Sequence, residues 1–159
     1  MESAFVTSGV LFSGTSFRSI GQVIMDLIDE TEKELLIVSY TFSDSDSRIF
    51  DHLNSAVKRA LKIDFLLDRR SLVLGDALDR FDNELGIKPH YFEDLGIGKL
   101  HAKVIISDRR KAFIGSSNIT IGGTLLNHEI GVITAGREVW ILADLIYSVI
   151  HSLRHLDVE

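Results

Sequence analysis

With 159 residues, 45% of them hydrophobic, the chain is long enough for one sizeable core and short for two, so residues 1–159 are expected to form a single domain. The absence of cysteine excludes a disulfide framework and thiol chemistry, and a net charge of −6 excludes a surface coated with phosphate-binding cations while leaving room for a local basic groove. No apolar run approaches the roughly 18 residues of a membrane span, and the opening Met1–Gly14 lacks the positive region of a secretory signal; a cytoplasmic location without stable membrane association is therefore expected.

Phe5–Phe12 mixes Val, Leu and Phe with small residues and predicts a first strand at a sheet edge. Ser16 offers a helix cap, and Phe17, Ile20, Val23, Ile24, Leu27 and Ile28 recur at helical spacing up to about Lys33. Glu34–Tyr40 is a continuous apolar run with a β-branched centre, the pattern of a strand covered on both faces. Asp44 and Asp46 in the following polar loop are read as helix caps rather than metal ligands. Ile49, Phe50, Leu53, Ala56 and Val57 mark a second amphipathic helix over Arg48–Leu61, with His52 at its margin.

Ile63–Leu67 reads as a third strand, and Asp68-Arg69-Arg70 stands just past its C-terminal end, where open α/β sheets bind ligands. Arg69 and Arg70 are therefore candidate substrate contacts. Leu74, Leu78, Phe81 and Leu85 form a third helical stripe closed by Gly86, and Ile87–Glu93 follows as a short strand that Pro89 assigns to an edge.

The chemistry is concentrated between Lys99 and Asn118. His101 and Lys103 stand two apart, so on an extended segment both side chains share a face. Val104-Ile105-Ile106 suits a buried strand, Asp108-Arg109-Arg110 a polar turn, and Lys111–Ser116 a returning strand that brings Ser116 and Asn118 toward His101. An imidazole, a fixed cation and neutral donors without a carboxylate suit a phosphate oxyanion. Lys99, Arg109 and Arg110 add candidate backbone-type cations that carry no base code.

After Asn118, a small-residue turn leads through Asn127-His128-Glu129 into the strand Ile130–Ile133. Arg137–Leu156 closes the chain as a long helix whose Trp140, Ile141, Leu145 and Tyr147 carry more apolar surface than one core face needs, which a subunit interface or deep burial would absorb. His151 and His155, four apart on it, lack a nearby third ligand and are read as helix-end residues. The alternation of elements predicts an α/β sandwich, a mixed sheet flanked by helices.

His101-x-Lys103, then Asp108, then Gly115-Ser116-x-Asn118 resembles the HKD signature of the phospholipase D superfamily, and most of the chain fits the layout of its fold. The resemblance implies a phospholipase D-like α/β/α sandwich, with His101, Lys103, Ser116 and Asn118 catalytic and Asp108 and Gly115 serving structure. It also implies that Glu129 orients the Nδ1 of His101. Superfamily sites use two motif copies and this chain has one, which implies a homodimer sharing a site on its two-fold axis. The single-copy layout resembles the Nuc-type endonucleases, implying a metal-independent, cofactor-free phosphodiesterase that cleaves DNA or RNA through a phosphohistidine. A phospholipid phosphodiesterase and a non-catalytic dimerisation or nucleic-acid-binding module of a larger nuclease system are the alternatives.

Overall fold

The computed structural model describes residues 3–157. Its strands are β1 (Ala4–Ser8), β2 (Arg18–Ser19), β3 (Glu34–Ser39), β4 (Phe42–Ser43), β5 (Lys62–Leu67), β6 (Val73–Leu74), β7 (His90–Tyr91), β8 (Val104–Ser107), β9 (Lys111–Gly115) and β10 (Glu129–Ala135). Its helices are α1 (Ile20–Glu30), α2 (Ser47–Lys58), α3 (Ala77–Arg80) and α4 (Arg137–Leu156). Eight strands form one mixed sheet in the order β2-β1-β10-β9-β8-β3-β5-β7, and β4 pairs with β6 in a separate parallel ribbon.

The apolar periodicities become the two faces of this sheet. Ile20, Val23, Ile24, Leu27 and Ile28 of α1 and Ile49, Phe50, Leu53 and Ala56 of α2 bury against Leu35, Ile37, Phe65 and Phe113. On the opposite face α4 lays Val139, Ala143, Ile146, Ile150 and Leu153 onto Leu36, Val38, Leu66, Val104 and Ile106. Alternate residues of β3 thus enter different cores, which is why that strand is apolar throughout.

Strand directions determine where the chemistry lies. β3, β5 and β7 run parallel, β8 is antiparallel to β3, and β9, β10 and β1 continue antiparallel. One end of the sheet therefore collects the residues after β1, β3, β5 and β9 and those before β8 and β10. The other end carries the Asp108-Arg109-Arg110 turn.

Several local expectations are corrected. β1 is not an edge strand, because the two-residue β2 pairs outside it. Helix α1 is capped by Ser19, whose hydroxyl accepts from Gln22 N at 3.2 Å, rather than by Ser16. Asp46 occupies the N-cap position of α2 but makes no side-chain cap; its buried carboxylate accepts from Arg48 and from the Thr124 hydroxyl at 2.7 Å. Burial opposes its ionisation, but these donors outweigh that and hold its pKa below the ordinary value. The third helical stripe shrinks to α3 and a π-turn over Phe81–Leu85, ended by Gly86 at φ 62°. Leu74 pairs in β6 instead, and the expected Ile87–Glu93 strand keeps only His90–Tyr91, at the sheet edge that Pro89 indicated. No helix among the described residues is long and apolar enough to cross a membrane.

Candidate active site

His101 and Lys103 precede β8 rather than lying on it, because β3 leaves the ladder after its Val38–Val104 pair and residues 99–103 have no strand partner. The segment is nevertheless fixed. Gly115 N donates to Lys103 O at 3.3 Å, and Lys103 Nζ donates back to His101 O at 2.8 Å. The same ammonium stands 2.9 Å from His101 Nδ1 and 3.3 Å from Nε2, so the i, i+2 spacing does place both side chains together. His101 is exposed whereas Lys103 is only 8% exposed. Desolvation pulls the Lys103 pKa below the lysine value, and the nearby Glu129 charge works against that shift.

Tyr40, the first residue beyond β3, packs its ring 4.4 Å from the His101 ring and lies under Lys103 Nζ at 5.5 Å. Asn118 is tied to the residue after Tyr40: its Oδ1 accepts from Thr41 N at 3.1 Å, which leaves its amide N–H groups to donate elsewhere. Ile119 N donates to Ser39 Oγ, and the Phe42–Ile119 bridge secures the same loop. Gly123, in a π-turn over Gly122–Leu126, packs so tightly that a Cβ there would meet Asn118 O at 2.2 Å.

Ser116 and Glu129 pair with each other, the hydroxyl donating to the carboxylate. The expected bond from His101 to Glu129 is not formed within the chain. Glu129 begins β10, and β9 separates that strand from β8, a lateral offset of about 10 Å at ordinary strand spacing. Gly115 faces Gly131, and a Cβ on Gly115 would meet Gly131 Cα at 2.8 Å and the buried Phe113 ring at 2.9 Å. Glycine is needed at Gly115 to seat that ring.

Asp108 accepts from the backbone N–H groups of Glu32, Lys33 and Glu34 at 2.8–2.9 Å, clamping the α1–β3 loop to the far turn. Burial opposes its ionisation, and the three N–H donors outweigh it and lower its pKa.

The expected arginine contacts divide. Arg109 and Arg110 lie on the turn at the opposite sheet end, and Arg109 pairs with Glu34, so both are corrected as substrate contacts of this site. Arg70 is at the correct end but its guanidinium is held by Glu93 and Asp94 and stacks on Tyr91 at 4.2 Å, which leaves it little freedom to meet a phosphate. Arg69 is at the correct end and bonds Asp68 through Nε at 2.8 Å, with its side chain 34% exposed. Lys99 is exposed on the approach to His101 and acts on Asp68.

Tyr40, Thr41, Asp68 and Gly123 escaped the sequence reading as site residues. Tyr40, Thr41 and Asp68 shared a signal, their place at or just past a strand end, and after β5 the reading credited the neighbouring arginines instead. His151 and His155 approach each other at 2.9 Å on α4, and among the described residues no group of three or more His, Cys, Asp or Glu is gathered to hold a metal ion.

Comparison with known proteins identifies the family and the fold. Residues 24–146 match the family model described as cardiolipin synthase, PLD-like domain. The chain is 26% identical over 138 residues to DISARM protein DrmC of Bacillus paralicheniformis, covering 82% of this chain and 55% of that one. It is 33% identical over 124 residues to a phospholipase D of Rickettsia felis, covering 73% and 56% respectively, so it spans about half the length of these curated relatives. Among solved structures, the phospholipase D family member Nuc from Salmonella typhimurium superposes with a TM-score of 0.70 at 22% identity, covering 97% of this chain and 95% of Nuc. The match across most of the chain, over the same sheet end that gathers His101, Lys103 and Asn118, shows that this protein belongs to the phospholipase D-like family.

Proposed function

We propose that residues 1–159 act as one metal-independent phosphodiesterase domain that cleaves DNA or RNA, with its active site completed by a second copy of the chain. The observation that carries this reading is the exposed His101 imidazole 2.9 Å from the Lys103 ammonium of a nearly buried residue, with Asn118 held by Thr41 N next to the Tyr40 that packs on His101. One His101 Nε2 attacks phosphorus and forms a P–N bond, while the symmetry-related imidazole protonates the departing oxygen. Water then attacks the phosphohistidine and gives its proton to that second imidazole. The Lys103 ammonium and the Asn118 amide balance charge on the phosphoryl oxygens in both steps.

The dimer follows from the site's incompleteness: one chain supplies one imidazole where the mechanism needs an acid and a nucleophile together. The surface bordering the site suits a second copy. The register Ser8–Glu129 puts the Val10–Phe12 turn at the site end, where Val10 is 77% and Leu11 79% exposed beside exposed Leu126 and Ile130. The outer side of α4, with Trp140, Ile141 and Leu145 exposed, adds apolar surface.

The test is a panel of single- and double-stranded DNA, RNA and phosphatidylcholine in excess chelator, with His101→Ala alongside. Cleavage of nucleic acid that disappears in the variant is expected. Strict dependence on added divalent metal would refute the mechanism, and selective hydrolysis of the lipid would replace the substrate class.

A further inference from the structure

We propose that Asp68 is a positioning residue for His101, clamping the segment that carries the imidazole and tying Arg69 to the same carboxylate. This rests on the reading of His101 as the nucleophile.

The segment before β8 has no ladder to hold it, so its few hydrogen bonds determine where the imidazole stands. Asp68, the residue after β5, is completely buried. Its Oδ1 accepts from Leu100 N at 2.7 Å, one residue before His101. Its Oδ2 accepts from Arg69 Nε at 2.8 Å, and its main-chain oxygen accepts from Glu93 N at 2.9 Å. One residue, through its carboxylate and its main-chain oxygen, thus joins three segments that meet at the site end.

A buried carboxylate is costly unless it is paired and hydrogen-bonded, and each oxygen here has a single directed partner. Burial opposes ionisation, and the Arg69 guanidinium and Leu100 N–H overcome it and hold the carboxyl below its ordinary range. The charge is therefore present at neutral pH. It serves two ends at once: it fixes the backbone one residue from the imidazole, and it sets the direction of the partly exposed Arg69 guanidinium.

The two functions separate by substitution. Asp68→Asn keeps an oxygen for Leu100 N and loses the charge on Arg69. Asp68→Ala loses both. With bis(4-nitrophenyl) phosphate as probe in excess chelator, Asp68→Asn is expected to raise KM while kcat stays within about threefold. Asp68→Ala is expected to lower kcat about 100-fold, the scale of a misplaced catalytic group. Hydrogen exchange of the Leu100 amide and the imidazole NMR resonances of His101 read the clamp without turnover. Faster exchange and shifted resonances are expected in Asp68→Ala, with near wild-type values in Asp68→Asn.

Wild-type exchange and resonances in Asp68→Ala would overturn the proposal. So would kinetics that fall in both variants only in proportion to the unfolded fraction. If Asp68→Ala does not fold, the KM-against-kcat split of Asp68→Asn decides. A wild-type protein whose activity survives His101→Ala would overturn the nucleophile reading, while the exchange data would still report on the clamp.

Discussion

The Ser116 hydroxyl donates its proton to the Glu129 carboxylate, and the same oxygen accepts from Ile130 N at 3.2 Å. A hydroxyl has one proton, and a charged acceptor claims it more strongly than the Ile130 carbonyl 3.3 Å away. Ser116 therefore orients Glu129 and has no proton left for a phosphoryl oxygen. Ser116→Ala is expected to lower kcat/KM by about tenfold or less, whereas loss of a direct oxyanion donor costs about 100- to 1,000-fold. Steady-state hydrolysis of bis(4-nitrophenyl) phosphate measures the difference. A fall beyond 100-fold, on the order expected for an oxyanion donor, would return Ser116 to the role of donor.

Asp108 satisfies three consecutive N–H groups of the α1–β3 loop from 74–76 residues away. Asp108→Ala leaves those donors to water and places alanine at φ 50°, so a loss of about 2–4 kcal/mol is expected by urea unfolding at neutral pH. Asn tolerates that backbone, and Asp108→Asn should cost less. Because the folded pKa lies below the ordinary aspartate value of about 3.8, the carboxylate's contribution is complete well above that value and is lost as pH falls through the folded pKa. The gap between wild type and Asp108→Asn should accordingly begin to narrow below about pH 3.8 and close once pH lies below the folded pKa. A gap that does not change with pH means the charge contributes nothing.

How much of this was legible in the sequence depends on how local the cause was. The apolar run of β3 and the spacing of Ile20, Val23, Ile24, Leu27 and Ile28 on α1 are signals within single elements, and the structure buries all of these residues. The cap of α1 shifted from Ser16 to Ser19 because pairing of Arg18 and Ser19 with β1 keeps that stretch extended. Glu129 could not be placed relative to His101 without the strand order, since the intervening β9 sets their separation. Arg109 lay close to His101 in sequence and far from it in space, because a hairpin turn sits at the opposite end from its strands' open ends. Asp68 bonds Leu100 across 32 residues, and no sequence spacing announces such a clamp.

Gly123 supports Asn118 by lacking a side chain. A Cβ there would stand 2.2 Å from Asn118 O and 2.9 Å from Asn118 N, both backbone atoms that cannot swing aside. Gly123→Ala must push the Asn118 loop away from Thr41, breaking the bond that aims the amide. Overpacking of this kind costs about 1–3 kcal/mol. The expected result is a folded protein of reduced stability with kcat lowered at least tenfold, on the scale of a displaced catalytic group. Thermal unfolding and turnover measured on one preparation test it, and full activity would show that the Asn118 amide is not needed where it stands.

The proposed shared site would make activity depend on association, and Ile130 is the position to probe. Its side chain is 55% exposed, it follows Glu129 directly, and its backbone pairs with Ser116, so a partner covering the site must cover it too. Ile130→Asp puts a charge into that contact without touching either core cluster. An interface of ordinary size buries about 800 Å² on each partner, and an unpaired charge inside it costs several kcal/mol. Sedimentation equilibrium is expected to show a dimer for the wild type and a monomer for Ile130→Asp at micromolar concentration. Specific activity of the variant should be low and should rise with protein concentration, because two chains must meet before both imidazoles are present. His101→Ala should remain dimeric and inactive at every concentration. A monomeric Ile130→Asp with full, concentration-independent activity would mean that one chain completes the chemistry alone, and the two-fold site would have to be abandoned.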